Sequence, residues 1–165
     1  MKKTMSLIAI FTVLLFSVSA GYDREPKPVQ GSQAPWFEVK TTDGSTISLS
    51  QMRGRYVLVS FWASNDACSR INTTLYDRFL KADPDGEKLS LLSVNVDRSE
   101  RLFRETVRRD RMDAESQFHV FGNEASQLMH RYGQNTTDCQ SFLIDPQGVV
   151  VAVNPDVEAL AAVLG

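Results

Sequence analysis

The sequence predicts an α/β domain, a central mixed sheet with helices packed against it. Three observations carry this. Strand-like and helix-like segments alternate along most of the chain. One stretch, Tyr56 to Trp62, is a near-continuous apolar run rich in β-branched and aromatic residues, as a strand covered on both faces requires. The chain then closes with a strand pair around Pro146-Gln147-Gly148 and a last helix. At 165 residues and 42% hydrophobic content, it is long enough for one domain with a real core.

The segments read in order. Met1 to Ala20 has the pattern of a signal peptide: Lys2 and Lys3, an apolar run, then the small-residue site Val18-Ser19-Ala20. An exported chain starting at Gly21 is expected, with no stable membrane span after cleavage. Residues 21–30 read as a flexible lead-in and 31–165 as the domain. Phe37 to Thr41 and Thr46 to Leu49 suit two short strands around Asp43-Gly44, with Ser50 capping a short turn through Met52. After the central strand, Asp66 offers a helix N-cap, and Ile71, Leu75 and Phe79 make one apolar stripe at helical spacing.

Asp83-Pro84-Asp85-Gly86 breaks the chain before a second core strand, Leu89 to Val96. Ser99 to Arg109 reads as a helix with Leu102, Phe103 and Val107 inward. The arginines in and around it, Arg98, Arg101, Arg104, Arg108, Arg109 and Arg111, offer an anion patch as one reading; interleaved with Glu100, Glu105 and Asp110, they read rather as a solvated face. Gln117 to Phe121 suits a short strand with His119 at its surface or partly buried. Glu124 to Tyr132 suits a helix closed by Gly133, with His130 in its last turn, where the helix dipole favours it. Ser141 to Asp145 and Val149 to Val153 form the final hairpin. Asn154 and Pro155 start the last helix, with Val157, Leu160, Ala161 and Leu164 inward.

Composition narrows the function. Net charge is −2, and loss of Lys2 and Lys3 makes it more negative, which argues against a nucleic-acid binder. Two cysteines, Cys68 and Cys139, are too few for a disulfide scaffold. The two histidines stand apart from each other and from the cysteines, so neither a metal site nor a cofactor is expected.

The stretch Phe61-Trp62-Ala63-Ser64 followed by Arg70 resembles the active-site segment of thioredoxin-like proteins of the periplasmic TlpA/ResA type, roughly F-W-A-S-W-C-x-P-C-R. The Gly31-Ser32-Gln33-Ala34-Pro35-Trp36-Phe37 opening is similar to the start of TlpA/ResA and AhpC/TSA family members. The resemblance implies a thioredoxin fold with extra N-terminal strands and a central βα insertion. It also places the reactive positions. Asn65 takes the tryptophan position, Asp66 that of the nucleophilic cysteine and Ala67 the variable one. Cys68 takes the proline position and Ser69 that of the resolving cysteine. The family's G-T-P-T-T-F-L-I-D segment matches Thr137 to Asp145, with Asp138 before Cys139 and Cys139 in place of the cis-proline. The family's frame is present without its C-x-x-C pair.

The functional expectation is a redox-inactive or atypical member acting as a binding module for a protein or peptide. That partner would lie in the groove beside Asp66, Cys68 and Cys139. The alternative is a thiol-disulfide oxidoreductase using Cys68 with or without Cys139. A third reading, a peroxiredoxin-like peroxidase, requires P-x-x-x-T-x-x-C. Aligned on Phe61, those places hold Ala63, Ala67 and Arg70, which leaves Cys68 out of register.

Overall fold

A computed structural model describes residues 27–41, 44–82, 88–134 and 140–165. The expected signal peptide, most of the lead-in, the Asp43 turn, the Asp83–Gly86 break, and Asp138 with Cys139 lie outside the described residues. Strand β1 (Glu38–Lys40) pairs antiparallel with β2 (Thr46–Ser48). A 3-10 turn, Leu49–Met52, follows, and the N-cap is Ser48, not Ser50. Gln51 explains the shift, since its side-chain oxygen accepts from the Ser48 N–H at 3.0 Å.

The main sheet is five-stranded, ordered β5-β4-β3-β6-β7. At its centre lies β3 (Tyr56–Trp62), parallel to β4 (Leu89–Asn95) and antiparallel to β6 (Ser141–Ile144). The edges are β5 (Gln117–His119) beside β4 and β7 (Val150–Val153) beside β6. Helices α1 (Ala67–Lys81), α2 (Glu100–Asp110), α3 (Gly122–Arg131) and α4 (Val157–Leu164) complete the α/β sandwich.

Alternation along β3 sorts its side chains between two cores. Val57, Val59 and Phe61 join Phe37, Tyr132, Phe142 and the apolar face of α3. Leu58 points the other way, to Tyr76, Leu89, Leu143 and Leu160. Trp62 extends that second side against Phe103, Val107 and Met112, seating α2 on the sheet. The Phe61 and Tyr132 rings lie 5.0 Å apart, and the Tyr132 hydroxyl donates to the Pro35 carbonyl at 2.9 Å. Burial pushes the Tyr132 phenol far up, so it stays a neutral donor.

Helix α1 corrects the stripe expected from its hydropathy. Ile71 is 59% exposed and Leu75 44% exposed. Phe79, the third residue of that stripe, does pack on the core beside Leu80, but the fully buried residues of the helix are mostly polar: Ser69, Thr73, Tyr76 and Asp77. Each finds a mate. Ser69 lies 3.3 Å from the Ala63 N–H, and Thr73 bonds Ser60 on β3 at 2.9 Å. The Tyr76 hydroxyl donates to the Pro155 carbonyl at 2.7 Å, and Asp77 accepts from the Asp113 N–H at 2.7 Å. Satisfied polar groups cost little to bury, so hydrogen bonding overrules the apolar stripe.

Two smaller corrections have similar causes. Leu102 is 42% exposed because α2 turns Phe103, Thr106 and Val107 to the sheet. The last helix is capped by Asp156, whose side chain accepts from the Ala159 N–H at 2.7 Å. Asn154 serves β6 instead, accepting from the Ser141 N–H at 2.8 Å, and Ala161 faces outward. Gly133 ends α3 as expected, at φ 61°.

Arg70 of α1 and Asp110 at the end of α2 form a two-pronged ion pair, with Arg70 Nη2 to Asp110 Oδ1 at 2.8 Å. The Arg70 hydrogen bond holds the Asp110 carboxyl below the usual carboxylate range. A depressed folded-state pKa adds stability above the unfolded pKa, and that stability fades as pH falls through the folded value. Asp110→Asn should therefore cost about 0.5–1 kcal/mol at neutral pH, and the gap from wild type should close in acid below the carboxylate range. Urea melts across pH check this; a gap constant with pH would rule out the ion pair as its source.

Candidate functional site

The site forms where β3 ends and α1 begins. The turn between them, Ala63 to Asp66, is held from two sides. Asp66 is the N-cap of α1, as expected, and its carboxylate accepts from the Cys68 N–H at 3.1 Å. The Asp66 N–H in turn bonds the Ala63 carbonyl at 3.1 Å. Ser69 is buried, with its hydroxyl shared between the Ala63 N–H and the Asp66 carbonyl at 3.3 Å each. This side chain closes the helical turn from inside and is shielded from solvent.

Asn65, Ala67 and Cys68 are exposed. Cys68 carries a free thiol on the first turn of α1, where backbone N–H groups and the helix dipole converge. Asn72, one turn on, donates its side-chain amide toward the Cys68 sulfur at 3.9 Å. The structure thus brings Asn65, Asp66, Ala67, Cys68 and Ser69 into one turn.

Sequence reasoning missed the carboxylate that holds this turn. Asp97, just past β4, is 8% exposed. Its side chain accepts from the Ser64 N–H at 3.1 Å and from the Ser64 hydroxyl at 2.5 Å. The Asn95 side-chain amide donates to it at 2.9 Å, and Asn95 accepts from the Asp97 N–H at 3.0 Å. No cation pairs with it among the described residues; its hydrogen-bond partners are neutral donors. His119 adds a bond from its Nε2 to the Asp97 carbonyl, 2.7 Å long. The imidazole is stacked between Phe103 and Phe121, with ring centroids 5.2 and 5.4 Å away. His119 is therefore more than an edge-of-strand residue: it braces the loop that holds Ser64. The available signal was the Asn-x-Asp spacing at a strand end, where short polar side chains bond neighbouring backbone.

A second unanticipated network lies beneath the site. Ser60 bonds Thr73 at 2.9 Å and accepts from the Ser141 hydroxyl at 3.0 Å. These three buried hydroxyls tie β3 to α1 and to β6. Burial also pushes the nearby Tyr76 phenol up. Hydroxyl groups of this kind relay hydrogen bonds but carry no titratable carboxyl to serve thiol chemistry at neutral pH.

The AhpC/TSA family model matches residues 30–153. The chain belongs to the AhpC/TSA family. Within it the likeness is to the TlpA/ResA type of thioredoxin-like protein. One relative is the thiol-disulfide oxidoreductase ResA of Bacillus cereus, 23% identical over 92% of this chain and 88% of that protein. A thioredoxin-like protein from Parabacteroides distasonis superposes with a TM-score of 0.66 at 32% identity, covering 84% of this chain and 96% of its own. The thioredoxin domain of a Bacteroides vulgatus thiol-disulfide oxidoreductase shares the fold, with a TM-score of 0.71 at 22% identity over 83% of this chain and 99% of that domain.

Within this turn Asp66 supplies a capping carboxylate and Ser69 a buried hydroxyl. The capping role has a measurable size. Asp66→Ala should destabilise the protein by about 0.5–2 kcal/mol, and Asp66→Asn by much less. Equal stability of wild type and Asp66→Ala in denaturant melts would show that the Cys68 N–H does not depend on this carboxylate.

Proposed function

We propose that this AhpC/TSA-family chain is an exported thioredoxin-fold binding module that does not cycle a dithiol. Its partner is a protein or peptide segment received at the surface beside Asp66, Cys68 and Cys139. One observation supports this most. The two motif positions that would exchange electrons are occupied by groups already committed to structure, the Asp66 cap and the Ser69 hydroxyl. Disulfide exchange needs a thiolate and a second thiol within reach to release the mixed disulfide. The sequence contains no C-x-x-C, its two cysteines being Cys68 and Cys139. Export is read from the Lys2-Lys3 start, the apolar run and Val18-Ser19-Ala20. Among the described residues no helix is long and apolar enough to cross a membrane.

The exposure of Cys68 favours a second reading, in which this thiol alone forms a mixed disulfide with a partner. A peroxidase gains nothing from the geometry: Ala67 offers no hydroxyl where that motif needs its threonine, and Arg70, at the cysteine place, is engaged with Asp110.

An insulin-reduction assay with dithiothreitol separates the readings. The protein should not accelerate insulin precipitation above the reductant alone. Turnover at the level of an ordinary thioredoxin would overturn the binding-module reading.

A further inference from the structure

Two apolar residues of α1, Ile71 and Leu75, face outward. Ile71 and Leu75 line a recess of about 680 Å³ between α1 and the C-terminal end of α2, with Thr74 and the stem of Arg70 beside them. The walls are fixed. Asp77 of α1 holds the Asp113 N–H, and the Lys81 ammonium donates to the Arg111 carbonyl at 3.0 Å. Arg111 itself adopts a left-handed conformation, φ 57°, which turns the chain sharply at the end of α2.

The charge around the recess is one-sided. Arg70, Arg78, Arg109 and Arg111 line it with a single carboxylate, Asp110. Asp110 is already shared between Arg70 and Arg109. Arg78 and Arg111 are exposed and enter no ion pair among the described residues. The α2 macrodipole offsets only roughly half a charge at this end. Of the α2 arginines outside the recess, Arg108 is exposed and enters no ion pair among the described residues, and the other two behave differently. Arg101 and Arg104 pair with Glu105 and Glu100 one turn away, as a solvated face does. The surplus is therefore local, in a chain whose net charge is −2.

We propose that this recess is a docking site for an acidic amphipathic segment of a partner protein. Two apolar side chains one turn apart suit the apolar face of such a segment, and the guanidinium groups on the rim suit its carboxylates. Arginine is well matched to this task, since its fork takes a carboxylate in two bonds. Concave walls from two helices admit a peptide segment and hold off a flat lipid surface. The proposal goes beyond the reading above and does not rest on it, because the recess keeps its shape and charge whatever Cys68 does.

The probe is a fluorescein-labelled helical peptide of leucine and glutamate with leucines one turn apart. Its controls replace glutamate by lysine or leucine by serine, and phosphatidylglycerol vesicles serve as the lipid arm. The leucine–glutamate peptide should bind, more weakly as sodium chloride is raised, while both control peptides and the vesicles should not. Affinity should fall by about tenfold or more in Ile71→Ser/Leu75→Ser and in Arg78→Glu/Arg111→Glu. All four substitutions are at exposed positions, and circular dichroism confirms that the variants keep the fold. Amide shifts on titration should cluster at Ile71, Leu75, Arg78 and Arg111. Absence of binding, equal binding of the lysine peptide, vesicle binding, or affinity unchanged in both variants would overturn the proposal. Shifts confined to Asn65 to Cys68 would overturn it too, while sustaining a binding role for the helix N-terminus.

Discussion

The chain depends first on the burial of β3. Six of its seven residues are buried, and its side chains divide between two cores. Because β4 runs parallel on one side and β6 antiparallel on the other, every backbone group of the strand centre has a ladder partner. The strand therefore ends at a fixed place, and the next residues must turn. That turn is where the site lies. Asp97 anchors Ser64 from β4, Ser69 closes the turn from within, and Asp66 opens α1. The arrangement is a rigid support for a helix N-terminus.

The same support explains why α1 faces as it does. Ser60 sits mid-strand on the side that α1 covers, with a hydroxyl that must be satisfied. Thr73 and Ser141 satisfy it, and Tyr76 and Asp77 find their own partners nearby. Once these groups are placed, the rotation of the helix is set, and Ile71 and Leu75 turn toward α2 and solvent. A mostly polar buried face, with Ile71 and Leu75 exposed and only Phe79 and Leu80 packed on the core, partly inverts the usual pattern. The inversion is stable because each buried group is bonded, and it leaves the recess under the Arg70, Arg78, Arg109 and Arg111 rim.

Elements whose register follows from burial were legible in the sequence. The continuous apolar run of β3, the second core strand β4 and the final hairpin all emerged near their expected bounds. The Asp66 cap was legible because its acceptor and donor are two residues apart. What was not legible depends on long-range polar contacts. Asp97 reaches Ser64 across 33 residues, and Arg70 reaches Asp110 across 40. No local pattern marks such pairs. Helix α1 was misread for the same reason: hydropathy records which side chains are apolar, not which polar ones have a distant partner. Cys139 and Asp138 lie outside the described residues, so their part in the site rests on the alignment to the family's cis-proline segment.

The central proposal is that the helix N-terminus serves as a capped and braced binding surface and does not cycle a thiol pair. The most direct measurement is a thiol titration of the purified protein across a glutathione redox series. The account predicts no reversible two-electron transition between roughly −120 and −270 mV, the range of working thioredoxin-type pairs. A transition in that range, abolished by Cys68→Ser or by Cys139→Ser, would contradict it and make the protein an active oxidoreductase.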